Sequence, residues 1–288
     1  MHGCVRATFE VHDNIEPSLR HGLFATAGTY DAYVRFSSAQ PTIGPDSRPD
    51  VRGMAIKIMG VDGAKLLEGD ETCSTQDFIT ISHNAFVVRN VAEFDELMSS
   101  FTCGPLRMAW YLARHPRVAA RVLAAFGRHA SLTDITYHSV TPYLLGQSAV
   151  KYAVAPSVAK AKTPMPKAPS YNFLREDLKR TLASGTFSFD FMVQRQSDPR
   201  RMPVEDATKV WPVSESPFRK VATLTLQVDD FDTPDRQEFG DNLSFNPWRC
   251  LPEHRPLGGL NRARRIAYRA LSGFRHERNA GAQNEPSS

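Results

Sequence analysis

Asn261-Arg262-Ala263-Arg264-Arg265-Ile266-Ala267-Tyr268 is the most informative stretch of this 288-residue chain. It follows the turn Pro256-Leu257-Gly258, and the residues from Asn261 to about Leu271 read as a helix. Arg264 and Tyr268 are four apart and so stack on one helical face. A guanidinium held against a phenol stabilises the phenolate, whose pKa otherwise sits near about 10. A tyrosinate is a hard anionic ligand suited to ferric iron, and Tyr ligation is one of the known ways to hold a haem. An exposed Arg–Tyr pair is also an ordinary surface feature of a helix, so the rest of the chain has to weigh the two readings.

The first third reads as strands. Val5, Ala7, Phe9 and Val11 alternate with polar residues, Tyr33–Phe36 and Met54–Ile58 follow, and Asp77–Ile81 and Phe86–Val88 are shorter candidates. The middle turns helical. Asn90 caps an expected helix, and Pro105–Ala130 reads as two helices broken at His115-Pro116. Arginines 107, 114, 117, 121 and 128 could grip phosphates, but the modest net charge of +4 favours a solvated amphipathic face and gives no reason to expect nucleic acid. Further on, Val150–Val154, Phe187–Val193 and Lys220–Val228 read as strands, with a helix over Phe173–Ala183. Helices inserted in blocks among many strands predict an antiparallel α+β domain, not a βαβ series.

Composition excludes several classes. Hydrophobic residues at 41% and charged residues at 23% are ordinary globular usage. No apolar run approaches the roughly 18 residues of a membrane span. The four cysteines lie far apart without a CxxC pair, against a zinc finger or disulfide scaffold. With no secretory pattern in the first residues, a cytoplasmic, reduced protein is expected. Phosphate-loop, dinucleotide, nucleophile-elbow and HExxH motifs are all missing.

Several motifs in order give the chain a resemblance to the catalase superfamily, and more closely to its short, catalase-related haem proteins. Arg264 and Tyr268 match the family's Arg-x-x-x-Tyr helix, and Arg275 falls seven residues beyond the ligand, where the family has a propionate-binding Arg. Val34-Arg35-Phe36-Ser37 is similar to the Val-Arg-Phe-Ser strand whose Arg pairs with the other propionate. Asp50–Lys57 resembles Asp-Pro-Arg-Gly-Phe-Ala-Val-Lys, Phe86–Asn90 matches Phe-Phe-Ile-Arg-Asp, and Phe94 falls where a Phe packs beside the haem. The resemblance implies an antiparallel β-barrel catalase-like core with inserted and C-terminal helices. It implies one haem-binding domain over residues 1–276, and the small, polar residues 277–288 read as a flexible C-terminal tail. The cofactor it implies is haem b, its iron held by Tyr268, with Arg264 as charge partner and Arg35, Arg275 and Phe94 as further contacts.

The family's distal side is altered. Its proton-relaying His would fall just before Met1, counted back from Phe9-Glu10-Val11. Three readings stay open: a reading frame that begins late, His2 serving as the base, or a protein that binds haem without catalase chemistry. Ser82 stands at the distal Asn position, with His83 beside it as a substitute acid–base group. Without the His, O–O cleavage loses help typically worth about two to four powers of ten. The expected function is therefore a catalase-related peroxidase. It would use peroxide or an organic hydroperoxide and an unidentified electron donor. The alternatives are hydroperoxide rearrangement of the allene oxide synthase kind and haem binding without turnover. A homo-oligomer is left open.

Overall fold

In β1 (Gly3–Val11), Val5, Ala7, Phe9 and Val11 are buried while Arg6 and Glu10 face solvent, the period of two that a sheet with one wet face requires. The structure, a computed structural model, describes residues 1–40, 42–158 and 161–283, excepting the side chains of Arg275, His276 and residues 280–283. β2 (Gly28–Ser38), β3 (Arg52–Met59) and β4 (Thr75–Ile81) continue from β1 as antiparallel neighbours. On the other side of β1 stand β9 (Arg219–Leu226), β8 (Phe187–Arg195) and β7 (Ser148–Pro156). The two-residue strand β5 (Tyr137–His138) joins β4 at Ile81 to β7 at Ala153 and Val154, closing eight strands into a barrel. β6 (Tyr143–Leu145) is appended to the other end of β7. Closure leaves no free edge along the ring.

Aromatic residues fill the barrel. The Phe9 and Phe191 rings meet edge-on at 5.2 Å, and those of Phe78 and Phe191 at 4.9 Å. His254, fully buried, plugs one end: its Nε2 accepts the Leu23 amide at 2.9 Å and its Nδ1 lies 3.1 Å from the Tyr152 hydroxyl. An imidazole that accepts at Nε2 is neutral and donates from Nδ1. Burial, with His21 nearby, pushes its pKa down to about 3.

Helices attach outside. α1 (Val91–Thr102), α2 (Pro105–Arg114) and α3 (Pro116–Ala125) lie between β4 and β5, and α4 (Phe173–Ser184) between β7 and β8. Asn90 caps α1 as expected, its Oδ1 accepting from the Glu93 amide at 3.0 Å. α5 (Pro234–Asn242) and α6 (Gly259–Gln283) follow β9. α6 outruns the expected end near Leu271 because no proline interrupts the chain before Pro286. α6 includes residues 277–283, and Asn279 donates to Asn242 Oδ1 at 2.6 Å, tying α6 to α5; residues 284–288 of the expected tail lie outside the described residues. Phe86–Val88, expected as a strand, is irregular. Its Phe86 amide donates to the Ala207 carbonyl, and Val88 is buried with Leu97, Tyr111 and Val118 in a second small core.

Tyr137 carries the shortest strand of the ring, buries its ring in the core and donates from its hydroxyl to the Leu132 carbonyl at 2.9 Å. In urea unfolding, Tyr137→Ala is expected to lose about 3–5 kcal/mol, and Tyr137→Phe about 1 kcal/mol. Below about pH 6.5 the unfolded chain binds a proton at His254 that the folded chain refuses until about pH 3. The stability contributed by neutral His254 is therefore full above pH 6.5 and declines as pH falls, by roughly 1.4 kcal/mol per unit. Urea melts at a series of pH values should show a shallower decline for His254→Gln than for the parent chain.

Candidate functional site

Between Arg35 and the Lys57–Asp77 pair, the outward faces of β2, β3 and β4 carry the small and apolar residues Ser37, Gly53, Ala55, Ile79 and Ile81. The register sets Arg35 opposite Ala55, Ser37 opposite Gly53, Gly53 opposite Ile81 and Ala55 opposite Ile79, so these side chains share one face. α6 and Phe245 stand over that wall and enclose a cavity of about 640 Å³. Its size lies within the roughly 300–1,000 Å³ that cofactor sites occupy. Tyr268, Leu271 and Phe274 enter from α6, and Arg35, Ser37, Ser38 and Gln40 form the polar part of the lining. Leu271 and Phe274 remain 62% and 63% exposed. A Cβ on Gly53 would come within 2.7 Å of Ser37 Oγ, so this part of the wall must stay flat.

Two networks fix the α6 side. Asp77, with no exposed side-chain surface, takes Lys57 at 2.6 Å, Arg249 at 2.7 Å and the Asn246 amide at 2.9 Å. Arg249 also grips Asp70 at 2.6 Å, and Asn246 donates to the Arg265 carbonyl at 3.2 Å. Phe245 is thereby held in the cavity wall, with Lys57 Nζ 5.2 Å from its ring centroid.

The second network surrounds Arg264. Its Nη1 donates to Thr141 Oγ1 and Asn261 Oδ1, each at 3.1 Å, and to the Tyr143 hydroxyl at 3.4 Å. Its Nη2 reaches the Tyr268 hydroxyl at 3.5 Å, and the guanidinium carbon lies 5.3 Å from that ring's centroid. Among the described residues no carboxylate lies within 4.0 Å of Arg264. Burial opposes the guanidinium charge, yet the Tyr143 and Tyr268 oxygens raise the arginine pKa above its ordinary value. Burial likewise raises the Tyr143 pKa and keeps that phenol protonated. Asn261 holds the helix start by donating to the Pro142 and Leu257 carbonyls, both at 2.9 Å. Val140, at φ 52°, forms the tight turn that presents Thr141.

The sequence-derived candidates divide. Tyr268 and Arg35 line the cavity, and Arg264 reaches it only through the Tyr268 hydroxyl; Arg35 also lies 4.0 Å from Asp241. Phe94 does not line it but packs on Phe86 at 5.8 Å in the second core, because α1 folds against α2 rather than over the barrel wall. The side chain of Arg275 lies outside the described residues. Ser82 and His83 lie past the end of β4, and neither lines the cavity. Ser82 Oγ accepts the Arg52 amide at 3.0 Å and its own amide donates to the Arg52 carbonyl, a backbone clamp. Burial lowers the His83 pKa.

His2 lines a separate polar cavity of about 350 Å³ that shares Arg35, Ser37, Ser38 and Gln40 with the first. Its Nε2 is engaged by Ser38 Oγ at 2.9 Å and Arg52 Nη1 at 3.3 Å, while Nδ1 faces Asp46 at 3.4 Å. Burial and then Arg52 push its pKa down to about 3, so it is neutral near pH 7. Thr141, Tyr143, Asn261 and Gly53 escaped the sequence reading. A glycine inside an alternating strand was the available signal for Gly53.

No protein-family model matches the sequence, and no curated protein does. Solved structures match in shape. A fungal catalase superposes with a TM-score of 0.75 at 19% identity, covering 95% of this chain and 57% of its own. Catalase A from Saccharomyces cerevisiae gives 0.75 at 18%, covering 95% and 59%, and a bacterial catalase 0.73 at 17%, covering 95% and 56%. The chain thus spans less than three fifths of these structures. At such identities the likeness is one of architecture: the chain has the catalase fold.

Proposed function

We propose that the chain is a haem-dependent oxidoreductase that uses peroxide, and that Tyr268 would hold the haem iron. The observation that carries this reading is the half-buried Arg264 guanidinium, which has no carboxylate within reach among the described residues and a phenol oxygen at 3.5 Å. A buried cation without an anion is costly. A Tyr268 phenolate supplies the missing charge and is itself a ligand for ferric iron.

The lining suits a flat, apolar ring bearing carboxylates. Gly53, Ala55, Ile79 and Ile81 offer a level wall, and Phe245, Leu271 and Phe274 offer apolar cover opposite it. Arg35, at the polar end, would take a propionate through charge-assisted hydrogen bonds. Arg275 is assigned the second propionate from its place in the sequence. When bound, haem would supply the redox-active iron that a peroxide oxidises. Arg264 would hold the Tyr268 oxygen anionic, while Thr141, Tyr143 and Asn261 hold Arg264 in place, the arrangement by which second-layer groups tune a metal.

Among the described residues the cavity lining contains no histidine or carboxylate. Ser37, Ser38 and Gln40 can hydrogen-bond a peroxide oxygen but do not exchange protons near neutral pH. With no acid–base group in this lining, and both ring nitrogens of His2 engaged in the adjoining cavity, proton-assisted cleavage would forgo about two to four powers of ten in rate. Slow peroxidation with an organic donor fits this lining better than fast dismutation. The same lining favours a second reading, dehydration of an organic hydroperoxide to an epoxide and water without an outside donor. Product analysis separates the two: donor-dependent reduction to an alcohol supports the first, and donor-independent epoxide or ketol the second.

Reconstitution with haem tests the ligand. The parent chain should take up one haem with a Soret band, and Tyr268→Phe should lose that band. A Tyr268→Phe protein with unchanged spectrum and pigment content would falsify the assignment. Arg264→Gln should weaken haem retention or turnover by roughly 10–100-fold. Gly53→Ile, which puts atoms into the flat wall, should lower haem uptake while the far-ultraviolet circular dichroism stays that of the parent.

A further inference from the structure

Between Met98 and Ala130 the chain contains five arginines and no aspartate or glutamate. This stretch holds α2 and α3, each opened by a proline and joined at His115. Their inner faces are spent: Tyr111 and Val118 are buried with Val88 and Leu97, and Met108, Leu112 and Val122 pack against them. The outer faces are not polar, as helices turned to water would be. Leu106 is 87% exposed and Trp110, one turn on, 59%, while Leu123 of α3 is 78% exposed. Arg107, Arg114 and Arg117 are exposed among them, and the Arg114 guanidinium carbon sits 4.7 Å from the Trp110 ring centroid. None of the five arginines has an ion pair among the described residues.

We propose that the α2–α3 hairpin docks on the surface of an anionic lipid bilayer. Leucine and tryptophan beside unpaired arginines are the side-chain set of helices that lie in the membrane interface, apolar groups in the acyl boundary and guanidinium groups at the phosphates. Charge selects this occupant over others. A second copy meeting the same patch across a two-fold axis would set the exposed Arg107, Arg114 and Arg117 against their own copies. A nucleic acid would satisfy the arginines but leave Leu106 and Leu123 without apolar contact. An anionic bilayer provides both phosphate and hydrocarbon. The inference uses no residue of the haem cavity and stands or falls separately from the ligand assignment.

Co-sedimentation of the full chain with vesicles is the test. The protein should pellet with phosphatidylcholine vesicles containing phosphatidylglycerol, bind pure phosphatidylcholine at least about tenfold more weakly, and be released by high salt. Leu106→Ser with Leu123→Ser should weaken binding roughly tenfold or more. Each of Arg114→Gln and Arg117→Gln should weaken it about fivefold. Trp110 emission should shift to the blue on addition of the anionic vesicles, and Trp110→Phe should abolish that shift. The proposal is overturned by binding that ignores lipid charge, by no binding, or by vesicle binding that all of these variants retain. It is also overturned if sedimentation equilibrium shows a dimer that the double leucine variant converts to monomer, or if duplex DNA displaces the protein from vesicles.

Discussion

The Arg264 guanidinium is held by neutral hydrogen-bond acceptors, with the Tyr268 hydroxyl 3.5 Å from its Nη2. Much of the surrounding structure serves to hold this one cation in place. Thr141 is delivered by a tight turn through Val140, Tyr143 by the short strand β6, and Asn261 by the first turn of α6. Each holds Arg264 without neutralising it.

The barrel supplies the opposite wall. Its interior is packed with phenylalanine and tyrosine, so a ring-shaped ligand has no room inside. The site must lie outside, where β2, β3 and β4 present Gly53, Ala55, Ile79 and Ile81. An apolar ring buried against such a wall and the α6 side chains would gain about 25 cal/mol per Å² removed from water. Arg35 marks the polar end of the cavity. The Lys57–Asp77–Arg249–Asp70 chain of charges sets the distance between wall and helix by fixing the Phe245–Arg249 loop. It is a buried network in which each ion has its partner, the condition under which such groups are tolerated.

The histidines illustrate how burial decides chemistry. His2 and His254 are both neutral near pH 7, for the same reason, desolvation. His254 is an element of packing between Leu23 and Tyr152. His2 belongs to the Ser38–Arg52–Asp46 cluster, whose contacts occupy both ring nitrogens. Neither faces the cavity that contains Tyr268.

The sequence by itself determined the elements with strong local signals. Alternation marked β1, β8 and β9, Asn90 marked the start of α1, Pro116 divided α2 from α3, and spacing put Arg264 and Tyr268 on one face. The propionate-facing role expected for Arg35 depended on a motif, and its place at the cavity came from register. Tertiary structure alone decided the rest. Phe86–Val88 has the composition of a strand but no neighbouring strand to pair with, and Phe94 lies on a helix that packs away from the barrel wall. Two-residue β5, on which closure rests, is too short to leave a periodic signal. Ser82 and His83 fall beyond the last paired residue of β4, where alternation no longer predicts direction. That no described carboxylate reaches Arg264 is a property of distances between segments more than a hundred residues apart, as from Thr141 to Arg264. Local preference acts over one or two turns of chain; which charges meet is set by how those turns pack.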